Sequence, residues 1–155
     1  CVKSKENFRL DAAHYDILTL NSASIPGLDF ISTGGSLDRI AKTKTIADYD
    51  PAYKYLNVCV TAVENDSTCF KCVRTMLTLD ALGKLDKFSA VFDVQYYMNH
   101  RKKYIERMYA DGKFGNDESL LLLFPLFKSE LTIRVKISAI IHKVQNAVRC
   151  RIFKR

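Results

Sequence analysis

The chain has 155 residues, of which 48% are hydrophobic and 26% charged; that suits one globular domain with a sizeable core and excludes a disordered or low-complexity chain. No apolar run approaches the roughly 18 residues of a membrane span, the longest being Leu120 to Phe127, interrupted by Pro125. The net charge of +7 is confined to the end of the chain. Residues 128–155 carry eight basic groups against Glu130 alone, so residues 1–127 are neutral and the chain as a whole does not read as a nucleic-acid binder.

Residues 1–24 are weakly patterned. After Pro26-Gly27, the run "LDFIS" at 28–32 reads as a short buried strand between turn signals. Ser36 then suits the N-cap of a helix to about Asp48, with Leu37, Ile40, Ala41 and Ile46 on its apolar face. Asp50-Pro51 opens a short helical turn. "YLNVCVTAV" at 55–63 is rich in β-branched residues and reads as a second strand, followed by the loop "ENDST". Val73, Met76, Leu77, Leu79 and Leu82 fall at helical spacing from Phe70 to Leu82, with Gly83 as the stop. Asp93 caps a long helix to about Ala110, closed by Gly112 and striped with Tyr97, Tyr104, Ile105 and Met108. A helix disturbed by Pro125 is expected over 119–128, and a last one over 131–152. In that last helix Ile133, Ile137, Ile140, Ile141, Val144, Val148 and Ile152 form one apolar face, expected to pack on the domain. Arg134, Lys136, Lys143, Arg149 and Arg151 lie mainly off that face, and the basic segment 128–155 suits an anionic membrane surface, a nucleic-acid backbone or an acidic partner. The fold class that follows is α/β and helix-rich: a few short strands, a knuckle-like cysteine segment and a helical C-terminal half. It is a single domain, with an α/β part over 1–92 and a helical part over 93–155.

Two stretches invite a chemical reading. "STGGSLDR" (32–39) follows an expected strand and opens a helix, a context in which backbone N–H groups can cradle phosphate. It departs from the S-G-G-x-D-[ST] loop of PP-loop ATP pyrophosphatases by one extra residue before Asp38 and by Arg39 in place of Ser or Thr. The plainer reading is a strand-to-helix turn, and the chain by itself is not expected to bind or hydrolyse ATP. No catalytic residue stands out.

The second stretch holds three of the five cysteines. An odd count in a cluster does not suit a framework of paired disulfides; it points to a reducing, cytoplasmic setting and to metal or redox chemistry. Cys69 and Cys72 have the C-x-x-C spacing that brings two sulfurs to one zinc, and Cys59 offers a third. The fourth ligand is missing from the cysteine list. Asp66, three residues before Cys69, is the nearest candidate. His14 is a remote one, while His100 and His142 read as surface or packing residues. Buried structural thiols remain an alternative. A redox pair is disfavoured because no thioredoxin-like pattern surrounds Phe70 and Lys71.

The segment "KTKTIAD…LNVCV…NDSTCFKCVRTMLTLDALGKL" resembles the C-terminal part of PP-loop, adenine nucleotide alpha hydrolase-like proteins close to 7-cyano-7-deazaguanine synthase. It is more similar still to bacterial relatives with the pattern V-C…N-C-x-x-C-x-K-C-x-R-T-x-L-x-L-x-x-L-G-x-L. The resemblance covers about residues 28–95 and is specific around the cysteines. It implies four zinc ligands at Cys59, Asp66, Cys69 and Cys72, with aspartate where those proteins have cysteine. It places Lys42 and Thr45 on a K-x-x-T helix; Arg74, two residues after Cys72, is offered to a nucleotide or substrate, with a local cap or salt bridge as the plainer reading. It implies that the chain is the C-terminal portion of a larger protein whose upstream part binds ATP and adenylates its substrate, with zinc as a structural cofactor. Two other readings stand beside it: a zinc-stabilised nucleic-acid or modified-nucleoside binding module, and a docking domain held to an anionic surface by its basic last helix.

Overall fold

The computed structural model describes residues 19–20, 22–31, 37–115 and 117–152, and only the backbone of 142 and of 146–152. The chain divides into two compact units, residues 1–38 and 39–155. In the first unit, Ile25 and Leu28 form an antiparallel bridge, exchanging N–H···O bonds of 3.0 and 2.9 Å. Gly27 turns the chain between them at φ +87°, a conformation that glycine adopts without steric cost. The Phe30 amide donates to the Ser24 hydroxyl at 2.9 Å. Among the described residues, the strand expected over 28–32 amounts to that one bridge. The glycine loop at 32–36 and His14 lie outside the described residues.

The second unit is helical. Its elements are α1 (Arg39–Ala47), α2 (Ala52–Tyr55), α3 (Phe70–Ala81), a 3-10 turn (Leu85–Phe88), α4 (Val94–Gly115), α5 (Glu118–Leu121) and α6 (Ile133–Ile152). No helix among the described residues is long and apolar enough to cross a membrane.

The helix-rich expectation holds, but the strand expected over 55–63 does not form. Its amides are taken by side chains instead: Val58 donates to Asn65 Oδ1 at 2.9 Å and Cys59 to Asn57 Oδ1 at 3.0 Å. Such local side-chain bonds compete with ladder pairing. No described segment lies alongside to offer a ladder, and Val60 and Val63 are left exposed.

The helix limits follow from caps. The Cys69 sulfur accepts the Cys72 amide at the start of α3. At its end the Gly83 amide donates to Asp80 O and the Lys84 amide to Leu79 O, both at 2.9 Å. With Gly83 at φ +65°, this is the paired closure that a left-handed residue allows. Asp93 caps α4 by accepting the Tyr96 amide at 2.8 Å. Asp117 caps α5 by accepting the amides of Ser119 and Leu120. Two boundaries differ from expectation. Helix α4 does not stop at Gly112 but runs through it to Gly115. Gly112 is buried, and a Cβ there would lie 2.9 Å from Phe124 Cζ, so this glycine serves close approach rather than termination. The helix expected over 119–128 is cut to α5, and turns lead on past Pro125, which has no N–H to continue a helix.

One core is shared by elements on both sides of residue 92: Met76 and Leu79 from α3, Phe88 from the 3-10 turn, Tyr97 and Met108 from α4, and Leu123 and Phe127 after α5. Side chains of this size each contribute about 1.5–3 kcal/mol on full burial. A polar clamp closes one side. The Tyr97 hydroxyl donates to Asp80 Oδ2 at 2.8 Å, Arg101 Nε donates to the same oxygen at 2.7 Å, and the Arg101 fork also grips Glu130 through both terminal nitrogens. Asp80 on α3, Arg101 on α4 and Glu130 before α6 are thereby held together.

The last helix overturns an expectation. Val135 and Ala139 are its buried apolar residues among those whose side chains are described, while Ile133, Ile137, Ile140, Ile141 and Val144 are exposed. At about 100° per residue, Val135 and Ala139 lie roughly opposite the isoleucine stripe. The helix docks by its smaller, sparser face, supported by the Ser138 hydroxyl donating to Glu106 on α4 at 3.0 Å.

Candidate metal centre

Cys59, Asp66, Cys69 and Cys72 come together: one ligand atom from each lies within 4.8 Å of all the others. The chain achieves this by folding the segment 56–69 on its own Asn, Asp, Ser and Thr side chains. Asn65 is the pivot. Its Nδ2 donates to Leu56 O at 2.7 Å and to Val91 O at 3.1 Å, and its Oδ1 accepts the Val58 amide. This draws the Cys59 strand-like segment and the connector before α4 toward each other. Ser67 adopts φ +57°, is buried, and accepts the Asp93 amide on its hydroxyl at 2.8 Å, fixing the loop to the start of α4.

Asp66 has a double role. Its Oδ1 accepts the amides of Thr68 at 2.9 Å and Cys69 at 2.8 Å, and its Oδ2 accepts the Thr61 hydroxyl. These bonds, led by Thr61 and followed by the Cys69 amide, hold its carboxyl below the usual range. A carboxylate has about four lone-pair sites, so the three bonds leave room for one more partner.

The sulfurs fit zinc. A tetrahedral zinc with Zn–S of about 2.3 Å has S···S edges of about 3.8 Å, and Cys59 Sγ and Cys69 Sγ stand 3.8 Å apart. The Cys72 amide donates to Cys69 Sγ at 3.4 Å. Thr61 Oγ1 lies 3.1 Å from Cys59 Sγ. Thr61, whose single hydroxyl proton serves either Asp66 Oδ2 or Cys59 Sγ, and after it the Asp66 amide, favour the Cys59 thiolate and bring its pKa down to about 6. Cys72 behaves in the opposite sense. It is fully buried in the first turn of α3, and that burial, with its neighbour Cys69 next, pushes its thiol up. A cation would relieve the penalty on a buried thiolate. Three sulfurs and a carboxylate oxygen are an accepted donor set for zinc.

The remaining sequence-predicted residues do not join this set. Lys42 and Thr45 lie on the exposed side of α1, where the Thr45 hydroxyl donates back to Ala41 O at 3.2 Å. Arg74 is buried on α3 with its guanidinium 4.8 Å from the Phe70 ring centroid. Its NH1 donates to Ser119 Oγ at 3.1 Å, and Ser119 in turn donates to Asp117, so Arg74 ties α3 to the cap of α5. Its Nε is buried without a partner. The adjoining cleft is lined by Thr68, Tyr104 and Arg107 among others. His100 lies between the Tyr96 and Tyr104 rings on α4, tilted to both, and is not among the clustered residues.

Asn65 and Thr61 are the residues that sequence reasoning passed over. Their signal was the density of Asn, Asp, Ser and Thr between two cysteines, which marks a loop built on side-chain-to-backbone bonds. The chain matches no family model, no curated protein and no solved structure.

Proposed function

We propose that the chain is a zinc-braced helical module that serves as the C-terminal part of a PP-loop, ATP-dependent, adenylating enzyme-like protein. The convergence of Cys59, Asp66, Cys69 and Cys72 within 4.8 Å carries the metal half of this reading. The metal's role is structural, because four protein ligands fill a tetrahedron and leave no open position for substrate. Cys72 belongs to the core and Cys59 to a loop with no sheet to hold it, so an ion between them fastens the loop to α3. The PP-loop half rests on the likeness of the cysteine segment to that family. On that reading Lys42, Thr45 and Arg74 belong to the nucleotide or substrate side, and the phosphate loop lies in another part of the protein.

Elemental analysis of protein prepared without chelator tests the first half. Close to one zinc per chain is expected, lost in Cys69→Ser and in Cys72→Ser, and metal-free protein overturns the proposal. Asp66→Asn separates the two jobs of Asp66, since the amide oxygen still accepts from Thr68 and Cys69 while the ligand charge is gone. Zinc binding should weaken in Asp66→Asn and tighten in Asp66→Cys, which supplies the softer ligand. For the second half, titration calorimetry of this chain with ATP and magnesium should give no signal. A signal abolished by Gly34→Ala or Gly35→Ala would instead place a nucleotide site in "STGGSLD".

A further inference from the structure

Helix α6 carries its apolar stripe on the wrong side for a core. Ile133, Ile137, Ile140, Ile141 and Val144 are each between 49% and 75% exposed, while the face that packs inward is made by Val135 and Ala139. Five large aliphatic residues in one outward row are more than the scattered exposed apolar residues of an ordinary surface. The row is bordered by charge of one sign. At about 100° per residue, Arg134 flanks it on one side and Lys136 and Lys143 on the other, and Arg134 and Lys136 are exposed. Lys143 is tied at its tip, where Nζ donates to Phe114 O at 2.7 Å. No acidic residue occurs in α6. The one acid of residues 128–155, Glu130, is engaged by Arg101.

From this arrangement we infer that the outer face of α6 docks on an anionic lipid surface, lying in the interface with its isoleucines in the acyl boundary and its basic border among the headgroups. Charge decides between the occupants such a stripe could take. The spacing 133, 137, 140, 144 is that of a coiled-coil seam, yet a second copy would offer no acid to the flanking positions. An antiparallel pair would set Lys136 and Lys143 against their own counterparts, and a parallel pair would set them against Ile141 and Val148, so neither orientation gains a salt bridge. A nucleic-acid backbone would take up the charges but would leave the isoleucines in water. An anionic bilayer satisfies both the apolar row and its basic border, and a helix whose outer apolar stripe is flanked by basic residues lies on a membrane rather than crossing it. The surface is separate from the cysteine cluster and does not depend on its metal.

Vesicle flotation with the complete 155-residue chain tests the assignment, comparing phosphatidylcholine vesicles with vesicles containing about a third phosphatidylserine, at low and high salt. The chain should float with the anionic vesicles, and raising the salt should release it. Two double variants probe the two components: Ile137→Glu with Ile140→Glu removes the stripe, and Arg134→Glu with Lys136→Glu removes the border. All four positions are exposed, so circular dichroism and melting should be unchanged. Each basic residue contributes about fivefold to partitioning, and the border variant should therefore bind about 25-fold more weakly or worse; the stripe variant should lose flotation as well. Equal flotation with neutral vesicles overturns the assignment. So does a stripe variant that still floats as wild type does, because the surface is then purely electrostatic. A wild-type dimer that Ile137→Glu converts to monomer, with no flotation by either, assigns the stripe to a second copy instead.

Discussion

The loop over 56–69 and the helix α6 solve the same problem, holding a segment on a small helical core, in opposite ways. The loop rests on the core through half-buried Leu56, Val58, Cys59 and Cys69 and is fixed by polar bonds, most of them to near neighbours: Asn65 to Leu56, Val58 and Val91, Asp66 to Thr68 and Cys69, and Ser67 to Asp93. Helix α6 is rich in isoleucine yet docks through Val135, Ala139 and one serine hydroxyl, leaving the isoleucines outside. Hydrophobicity alone therefore does not tell which side of a segment is held. In the loop the partners sit mostly within ten residues, so residue type and spacing decide. In the helix the partner is α4, about thirty residues away (Ser138 bonds Glu106), and the fit of two surfaces decides.

The comparison is broken most severely by taking the metal away. Apparent binding energies of structural zinc sites run to about 10–16 kcal/mol. Chelation should therefore lower the melting temperature by more than about 10 °C, measured by calorimetry with and without added zinc, and hydrogen exchange should open first in 56–69. A melting curve that chelator leaves unmoved would make the polar bonds sufficient for the loop. The two faces of α6 are separated by substitutions two residues apart. Val135→Asp puts an unpaired charge in the core and should cost about 3–5 kcal/mol in denaturant unfolding, whereas Ile137→Glu on the outer face should stay within about 0.5 kcal/mol. Equal costs would mean that the isoleucine stripe is covered after all.

Asn65→Ala refines the loop side of the contrast. It strands the carbonyls of Leu56 and Val91 and the amide of Val58, and should cost about 2–3 kcal/mol in metal-free protein. It should also weaken zinc binding, because Cys59 loses its support. A smaller loss than that of Asn65→Ala is expected at Gly112, the close-approach glycine of α4. Gly112→Ala gains about 1 kcal/mol of helix propensity but presses on Phe124, and overpacking typically costs about 1–3 kcal/mol, so a net loss near 1 kcal/mol is expected in the same denaturant series.

The sequence by itself determined what is local. The C-x-x-C spacing singled out Cys69 and Cys72, with Cys59 and Asp66 as candidate companions, and the four do cluster; side chains three residues apart at a helix start converge whatever surrounds them. The limits of α3 and the start of α4 were legible for the same reason, since Gly83 and Asp93 act on backbone within a few residues of themselves. The tertiary structure decided what depends on distant partners. The run 55–63 has strand composition but no strand beside it, and its amides went to Asn57 and Asn65. Gly112 has the look of a helix stop but meets Phe124. Arg74 is offered to a ligand by residue type, and the fold adds a bond from its NH1 to Ser119 on a distant element. Glu130, the lone acid of a basic tail, answers to Arg101 on another helix. The outward turn of the α6 stripe belongs with these, because amphipathic spacing fixes that a helix has two faces, and only the surface it meets selects which one is buried.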